Sequence, residues 1–391
     1  MSSRLTSRPL RLAGAGLAAA LLLAGCGGSS DPEPDAQETN GASPAASAGG
    51  DDSELNYAGT LRQPDATARP IAKGKKVVII SAGQASISSS VPVGAAEEAA
   101  KAAGWDVEVY DSQLNPANSA GLVRQALASG ADGIILQAID CPGVKGPLQE
   151  AKAKGVFVVG IYSFDCNDPI FKGSDPALFS GAINYGPDAK DIGAFTKRYG
   201  ADQAKAVIAA TGGKAKVIFF NQTTVTVLNY TGQGFLEEMK KCSGCEVVAE
   251  VEFAGAELGP NLQQKATSAL LQNPDANVVK SPYTSATLLG IAPAVVQSGR
   301  AKDLYVMGGE GFAPELDLLR AGQGVNAVNI APSDWTGWAA VDTMNSLFTD
   351  KPIADSGLGW QLVDKDHNLP PAGPFVPSVD FTGAYKKAWG L

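Results

Sequence analysis

Short apolar runs alternate with Ala-rich helical segments along most of the chain, and this alternation restricts the possible folds more than any other feature. The runs read VVII, IIL and VFVV, without an interrupting polar residue. Strands of this kind are buried on both faces, which is typical of a parallel sheet covered by helices on either side. Gly104, Gly130 and Gly155 follow predicted helices, as glycines do where helices end. The sequence therefore predicts an α/β protein.

The alternation occurs twice in series. Predicted strands lie at 76–81, 106–110, 133–137 and 156–161, and again at 216–220, 247–253, 277–280, 304–307 and 325–330. Predicted helices lie at 92–103, 117–129, 144–154, 187–211, 232–241, 261–272, 285–298, 314–321 and 334–348. This order predicts two doubly wound Rossmann-like lobes joined by a multi-crossing hinge. Ligands of such sheets bind beyond the carboxyl ends of the strands, so a ligand cleft is expected between the lobes.

The predicted lobes are discontinuous in sequence. We expect the N-terminal lobe to comprise residues 75–183 plus about 332–358. The C-terminal lobe and tail would comprise residues 184–331 plus about 359–391.

Residues 1–25 have the layout of an export signal. Three arginines precede an apolar run over 12–24, which is too short to span a bilayer comfortably as a mature helix. The run ends at Leu-Ala-Gly-Cys26, which resembles a bacterial lipobox, whose cysteine is lipidated and becomes the N-terminus. The alternative is an ordinary cleavage site with a chance cysteine. Residues 27–60 hold seven acids and no Lys or Arg, so 26–74 is expected to be a lipidated, flexible tether.

Composition excludes several classes of function. The chain carries 31 basic and 40 acidic residues, a net charge of −9, which argues against nucleic-acid binding. Its single histidine, His367, makes triads, His-rich zinc sites and histidine acid/base catalysis improbable. Neither a G-x-G-x-x-G after the first strand nor a P-loop is present. We therefore expect no enzyme, no cofactor and no metal.

Four cysteines remain after Cys26. An even number in an exported protein favours two disulfides, Cys141–Cys166 and Cys242–Cys245. The alternatives are a redox CxxC, a four-cysteine zinc site or free thiols. A redox CxxC opens a helix after a strand, whereas this one follows a helical segment.

The chain resembles the ribose/galactose-type periplasmic binding proteins, the type 1 fold. The resemblance rests on Gly94–Asp111 with the following SQLNPA, and on three later landmarks, GADGII at 130–135, GQGF at 232–235 and VMGGEG at 306–311. It covers roughly residues 75–350 and, with the lipobox, implies the substrate-binding lipoprotein of a sugar ABC importer. Such a protein would be an exported monomer, anchored at the outer face of the membrane, with the permease subunits as partners.

The resemblance also implies where a ligand binds. The amide and aromatic pair of the family fall near Ser86, Ser88 and Ser89, and its Asp-Arg pair falls at Tyr162 and Ser163. Its second-lobe arginine is replaced by Thr231, and its hinge-side Asn and Asp fall near Thr284 and Glu310. The candidate ligand-binding residues are Gln84, Ser86, Ser88, Ser89, Gln137, Tyr162, Ser163, Asn229, Thr231, Tyr283, Thr284, Glu310, Asp334 and Trp335.

Purely structural roles are the alternative for several of these positions. The serines could form a solvated turn that caps a helix, and Tyr162, Trp335 and Trp338 could be core residues. Because the charged clamps of the family are missing, a neutral, hydroxyl-rich solute such as a sugar or polyol is favoured. Two other functions remain open, a ligand-sensing lipoprotein for a receptor and an exported α/β enzyme.

Overall fold

The computed structural model describes residues 55–173 and 175–391. The expected export signal, Cys26 and the beginning of the expected tether lie outside the described residues. Within these two ranges, no helix combines the length and apolarity needed to cross a bilayer.

The first sheet has four parallel strands in the order β2-β1-β3-β4. These are β1 (Lys76–Ser81), β2 (Asp106–Asp111), β3 (Gly133–Gln137) and β4 (Phe157–Ile161). Helices α1 (Ile87–Ala102), α2 (Pro116–Ala128) and α3 (Cys141–Ala153) connect them. The side chains of β1 and β3 are buried on both faces, in two separate apolar clusters. This double burial is why these strands are continuous apolar runs.

The second sheet has six strands in the order β10-β9-β8-β7-β5-β6, parallel except for β10 against β9. Its strands are β5 (Lys216–Asn221), β6 (Glu246–Glu252), β7 (Val278–Lys280), β8 (Tyr305–Met307), β9 (Ala327–Ile330) and β10 (Gln361–Asp364). Its helices are α4 (Ile192–Ala210), α5 (Thr226–Met239), α6 (Pro260–Gln272), α7 (Thr284–Ala286), α8 (Ala292–Gln297) and α9 (Ala313–Ala321), with a π-helical segment at Thr287–Ile291. The predicted fold class is confirmed, while β10 was not predicted.

Helix α10 (Ser333–Phe348) returns from the second sheet to the first lobe. It crosses α1 so closely that a Cβ on Gly337 would lie 2.5 Å from the carbonyl oxygen of Pro92. The unpredicted helix α11 (Phe381–Trp389) then packs on α10, with Trp389 stacked on Trp338 at a ring distance of 5.5 Å. The tail expected in the second lobe is therefore corrected: residues 381–389 belong to the first lobe, because their aromatic face covers α10.

Residues 55–72 are part of the folded body, which corrects the expected extent of the tether. Leu61 and Ile71 pack against an apolar cluster that includes residues of α1, α10 and α4, and Leu55 and Tyr57 pack against a cluster of the second lobe. The backbone of this segment bonds to residues 355–360 and 388–389. These few apolar anchors are spread among Gly, Pro and charged residues, so composition gave no sign of docking.

Helices α4 and α5 meet backbone to backbone in the second lobe. A Cβ on Gly200 would lie 1.9 Å from the carbonyl oxygen of Thr231, and one on Gly234 would lie 1.9 Å from that of Lys197. Only glycine permits such an approach at these two positions. The two helices therefore pack in direct backbone contact at these glycines.

Candidate ligand-binding cleft

The topology of the two sheets fixes where a cleft can bind a ligand. Connections leave the first sheet in opposite directions at β1 and β3, and the second sheet at β5 and β7. Loops at such a switch point separate and leave a crevice at the carboxyl ends of the strands. In this protein the loops that follow these four strands begin at Ala82, Ala138, Gln222 and Ser281.

Two hydrogen bonds join the lobes at the start of α1. The hydroxyl of Ser86 lies 2.9 Å from that of Ser285 in α7. The hydroxyl of Ser88 donates to Oε2 of Glu310 over 3.2 Å. Since α1 begins at Ile87 rather than in the predicted 92–103 range, Ser88 and Ser89 lie in its first turn and not in a loop. The structure thus brings three of the predicted residues to the contact between the lobes.

Glu310 is held by a buried polar network in the second lobe. Its Oε2 accepts the backbone N–H of Thr284 over 2.6 Å. The hydroxyl of Thr284 donates to Glu315, which is fully buried and also accepts the N–H groups of Gly309 and Gly311. Burial raises the pKa of Glu310, the bond from Thr284 lowers it, and the neighbouring Glu315 raises it again. The carboxylate of Glu310 is therefore held in place by hydrogen bonds and has little contact with solvent.

A second contact between the lobes involves residues that the sequence did not single out. Asp140, which follows β3, accepts the backbone N–H of Phe164 over 2.9 Å and lies near Thr226 at the start of α5. Burial raises the pKa of Asp140, while Thr226 and the N–H of Phe164 lower it. The hydroxyl of Tyr230 donates to Asp168 over 2.6 Å, and its ring stacks on Phe164 at 5.1 Å. The only sequence signal for Asp140 was its position directly after a buried strand.

Gln84 carries an unused buried donor in the loop after β1. Its backbone N–H bonds to Asp111, whereas its side-chain Nε2 is buried and has no hydrogen-bond partner among the described residues. A buried donor without a partner costs free energy comparable to a lost hydrogen bond. Gln137 supports the same loop, since its Oε1 accepts the N–H of Ala82 over 3.2 Å. Gln84 therefore keeps an unused amide donor in the loop after β1.

Tyr162 is held in an unfavourable backbone conformation beyond β4. Its φ is +53°, which is uncommon for a bulky residue and is found most often at functional sites. Its hydroxyl lies 3.2 Å from that of Ser333 and 3.1 Å from that of Thr336. Burial raises the pKa of Tyr162. Next to it, Ser163 is buried and bonds to the backbone at Leu136 and Ile139, which is a structural role.

Trp335 is corrected from a stacking platform to a core residue. Its side chain is fully buried, its ring stacks on Phe381 at 4.9 Å, and its Nε1 donates to the carbonyl of Ser356. Nothing of the ring remains for a ligand, because α11 covers it. Asp334 accepts the N–H of Trp335 and sits half-buried at the helix start, where burial raises its pKa.

The remaining predicted residues lie in the second lobe. Asn229 and Thr231 are inside α5 and not before it, and their side chains bond to Thr223 and Val227 of the same segment. Tyr283 donates to Oε1 of Gln222 over 2.6 Å and links the loops after β5 and β7.

A buried lysine lies beneath these loops. Thr231 and Lys280 line a small cavity of about 10 Å³. Burial lowers the pKa of Lys280 to about 7, although Glu315 and Glu310 act in the opposite direction. Nothing in the sequence distinguishes this side chain, since it ends the short apolar strand β7.

The structure pairs Cys141 with Cys166 and Cys242 with Cys245. The first pair joins the start of α3 to the loop after β4, and the second closes the turn between α5 and β6. Within the described chain, Cys141, Cys166 and Asp165 form a cluster with metal-ligand spacing, their atoms lying within 4.8 Å. Both sulfurs are used in the disulfide, so the cluster offers no thiolate to a metal.

The sequence of this fold matches one family. Residues 77–352 match the periplasmic binding protein domain. The chain belongs to this family. A search of curated proteins gives no significant match.

Solved structures of other periplasmic binding proteins share the fold at low sequence identity. The glucose-galactose binding protein GanP from Geobacillus stearothermophilus is 20% identical, with a TM-score of 0.62 over 75% of this chain and 99% of its own. A periplasmic solute binding protein of an ABC transporter from Actinobacillus succinogenes 130z, with bound D-allose, is 18% identical, with a TM-score of 0.64 over 75% and 98%. A solute binding protein from Agrobacterium vitis bound with α-D-tagatopyranose is 19% identical, with a TM-score of 0.65 over 76% and 97%.

Proposed function

We propose that this periplasmic binding protein captures a small neutral solute, with a sugar as the favoured class, and delivers it to an ABC importer. The observation that carries the proposal is the set of polar groups that meet between the lobes at the switch points. These groups are mostly hydroxyls and amides, with the carboxylate of Glu310 between Ser88 and Thr284. Closure would surround a solute with them and exclude water.

The chemistry of these groups fits a polyhydroxylated ligand. A sugar hydroxyl both donates and accepts, so it could donate to Glu310 and accept from the unpartnered Nε2 of Gln84. The loop after β1 and the first turn of α1, residues 82–90, carry no arginine or lysine, which disfavours an anionic solute at this loop. Two of the related structures contain D-allose and α-D-tagatopyranose, which supports the same class.

Binding without chemical conversion is part of the proposal. The family consists of binding proteins, and the cleft groups bond mainly to one another, not in a nucleophile–base arrangement. Mass spectrometry of the ligand after incubation with pure protein tests this directly. A ligand recovered in altered form would favour the exported-enzyme alternative.

The decisive experiment is a thermal-shift panel of sugars, polyols, nucleosides and amino acids, with mass spectrometry of any co-purified compound. A ligand at 100 times its dissociation constant stabilises the protein by about 2.7 kcal/mol. We expect stabilisation by one or more sugars or polyols. Stabilisation confined to amino acids or nucleosides would contradict the proposed ligand class.

The lipid anchor is a separate proposal that rests on the sequence Leu-Ala-Gly-Cys26. Replacing Cys26 with Ala should leave the protein unprocessed or released from the membrane fraction. Continued lipid-dependent partitioning of the Cys26→Ala variant would contradict lipidation at this residue.

A further inference from the structure

Within the described residues, four segments between named elements connect the lobes, and they form the hinge. They lie between β4 and α4, between β9 and α10, between α10 and β10, and between β10 and α11. The first and third are paired, since Ser356 donates its N–H and hydroxyl to the carbonyl of Asn184 over 2.9 and 2.7 Å. Any opening of the cleft must rotate these segments.

Residues 55–72, here called the strap, add a fifth crossing. The strap runs antiparallel to residues 355–360, with backbone bonds from Thr60 to Trp360, from Arg62 to Gly357 and from Asp65 to Asp355 at 2.9 to 3.0 Å. The guanidinium of Arg62 adds two bonds to the carboxylate of Asp355 and one to the carbonyl of Tyr185. The strap thus contacts both of the paired crossings.

Two glycines of the hinge leave room for the backbone of the strap. A Cβ on Gly357 would lie 2.2 Å from the carbonyl oxygen of Arg62, and one on Gly359 would lie 2.4 Å from the carbonyl carbon of Thr60. Real Cβ atoms do not approach backbone so closely, so both positions need glycine while the strap is docked. The strap and residues 353–391 both lie outside the range 77–352 that matches the family. The two segments that lie outside the family range, the strap and residues 353–391, therefore pack against each other.

The strap is fastened to a different lobe at each end. At its start, Tyr57 bonds to Asp364 over 2.6 Å and Asn56 accepts the N–H of Leu362, which belongs to the second sheet. At its end, Arg69 forms an almost fully buried ion pair with Asp342 of α10 at 3.0 Å. Ala72 also donates to Asn345 of the same helix over 2.9 Å.

We propose that the strap is a hinge brace that limits how far the two lobes open. Separation of the lobes displaces its two fastened ends, and a segment bonded along its length cannot follow without losing those bonds. A narrower opening keeps a larger fraction of the protein near the closed state, which raises the apparent affinity for any ligand of that state.

The test uses Arg62→Ala and Gly359→Ala in the full mature chain without ligand. The first removes the guanidinium contacts, and the second forces the strap away without placing a side chain at a positive φ. Arg124→Ala is the matched control, because Arg124 forms an exposed ion pair with Glu150 within the first lobe. Small-angle scattering gives the radius of gyration, and hydrogen exchange at Thr60, Arg62 and Asp65 reports strap release.

We expect both variants to show faster exchange in the strap and a larger radius of gyration than wild type, while Arg124→Ala matches wild type. Unfolding temperature and circular dichroism verify that the lobes remain folded; if Arg62→Ala fails to fold, Gly359→Ala decides. An unchanged radius of gyration in the folded variants would overturn the proposal that the strap is a hinge brace. Because the measurement uses ligand-free protein, it stands even if no sugar binds, so the two proposals fail independently.

Discussion

Ser88 in the first lobe donates a hydrogen bond to Glu310 in the second, over 3.2 Å between Oγ and Oε2. The same carboxylate oxygen accepts the N–H of Thr284. The contact between the lobes is thus made partly by groups that a bound solute would otherwise contact. A ligand hydroxyl that enters must replace Ser88 as a partner of this carboxylate or add to it.

Glu310→Gln should weaken binding of the ligand identified by the panel. Hydrogen bonds to a charged group contribute about 1.5–3 kcal/mol and neutral ones about 0.5–1.5, so the loss should be about 1 kcal/mol, or about fivefold in affinity. Calorimetric titration measures it. Asp317→Asn, at an exposed carboxylate in α9, is the control and should bind like wild type. Equal affinity in both variants would place the site away from Glu310.

Gln84→Met should separate binding from stability. The amide donor of Gln84 has no partner within the described protein, so its removal should leave the unfolding free energy unchanged or higher. Ligand affinity should fall about tenfold, which corresponds to about 1.4 kcal/mol for a lost bond. Gln272→Met, at an exposed position of α6, serves as the control in urea unfolding and titration. A loss of stability without a loss of affinity would assign Gln84 a structural role.

Trp335→Ala should destabilise the protein strongly. Truncating a fully buried Trp costs about 3–5 kcal/mol, because the transfer free energy is lost and a cavity remains. Urea unfolding measures this change, and ligand affinity of the folded fraction should stay near that of wild type. The opposite result, unaltered stability with lost binding, would restore the stacking role that the sequence suggested.

Lys280 should make the stability of the second lobe depend on pH. Its folded pKa is lowered to about 7 from 10.5, so between these values the unfolded chain binds more protons than the folded one. The free energy of unfolding should therefore rise as the pH increases above about 7, by at most about 1.4 kcal/mol per unit.

Lys280→Met should flatten this rise and increase stability at pH 6, where the wild type must bury a charged amine. Denaturant unfolding at pH 6, 7, 8 and 9 measures the dependence. Lys302→Met, at an exposed residue, should keep the wild-type profile. If Lys280→Met kept the wild-type dependence of stability on pH, the amine of Lys280 would have to be hydrated in the folded wild-type protein.

Both disulfides should be present in the exported protein. A non-reducing peptide map should link the peptides of Cys141 and Cys166, and show an intact loop at Cys242–Cys245. Four free thiols, or one equivalent of bound zinc, would contradict the pairing.

The two lobes were predictable because their signal is local. The apolar runs at 76–81 and 133–137 predict buried parallel strands from their own residues, and the structure places them at the same positions. Strand β10, by contrast, has four residues and becomes a strand only by pairing with β9. Helix α11 likewise depends on the aromatic face of α10.

The cleft was less predictable because its contacts join distant parts of the chain. Ser86 and Ser285 are 199 residues apart, and Ser88 and Glu310 are 222 apart. Matching positions to the family indicated Ser86, Ser88 and Glu310. Trp335 was indicated by its place after the last strand of the second lobe, and that position does not distinguish a core residue from a cleft residue. Asp140 and Thr226 were missed, since single polar residues after strands are common.

The glycine contact between α4 and α5 has a consequence for ligand selectivity. Because α4 and α5 meet backbone to backbone at Gly200 and Gly234, we expect Thr226 and Tyr230 at the start of α5 to keep their positions when solutes of different size bind. When the lobes close, the α4–α5 pair should move as one unit toward the loops of the other lobe. Substitutions that change the preferred solute would then have to lie in the loops after β1, β3, β5 and β7, and the α4–α5 pair would stay the same.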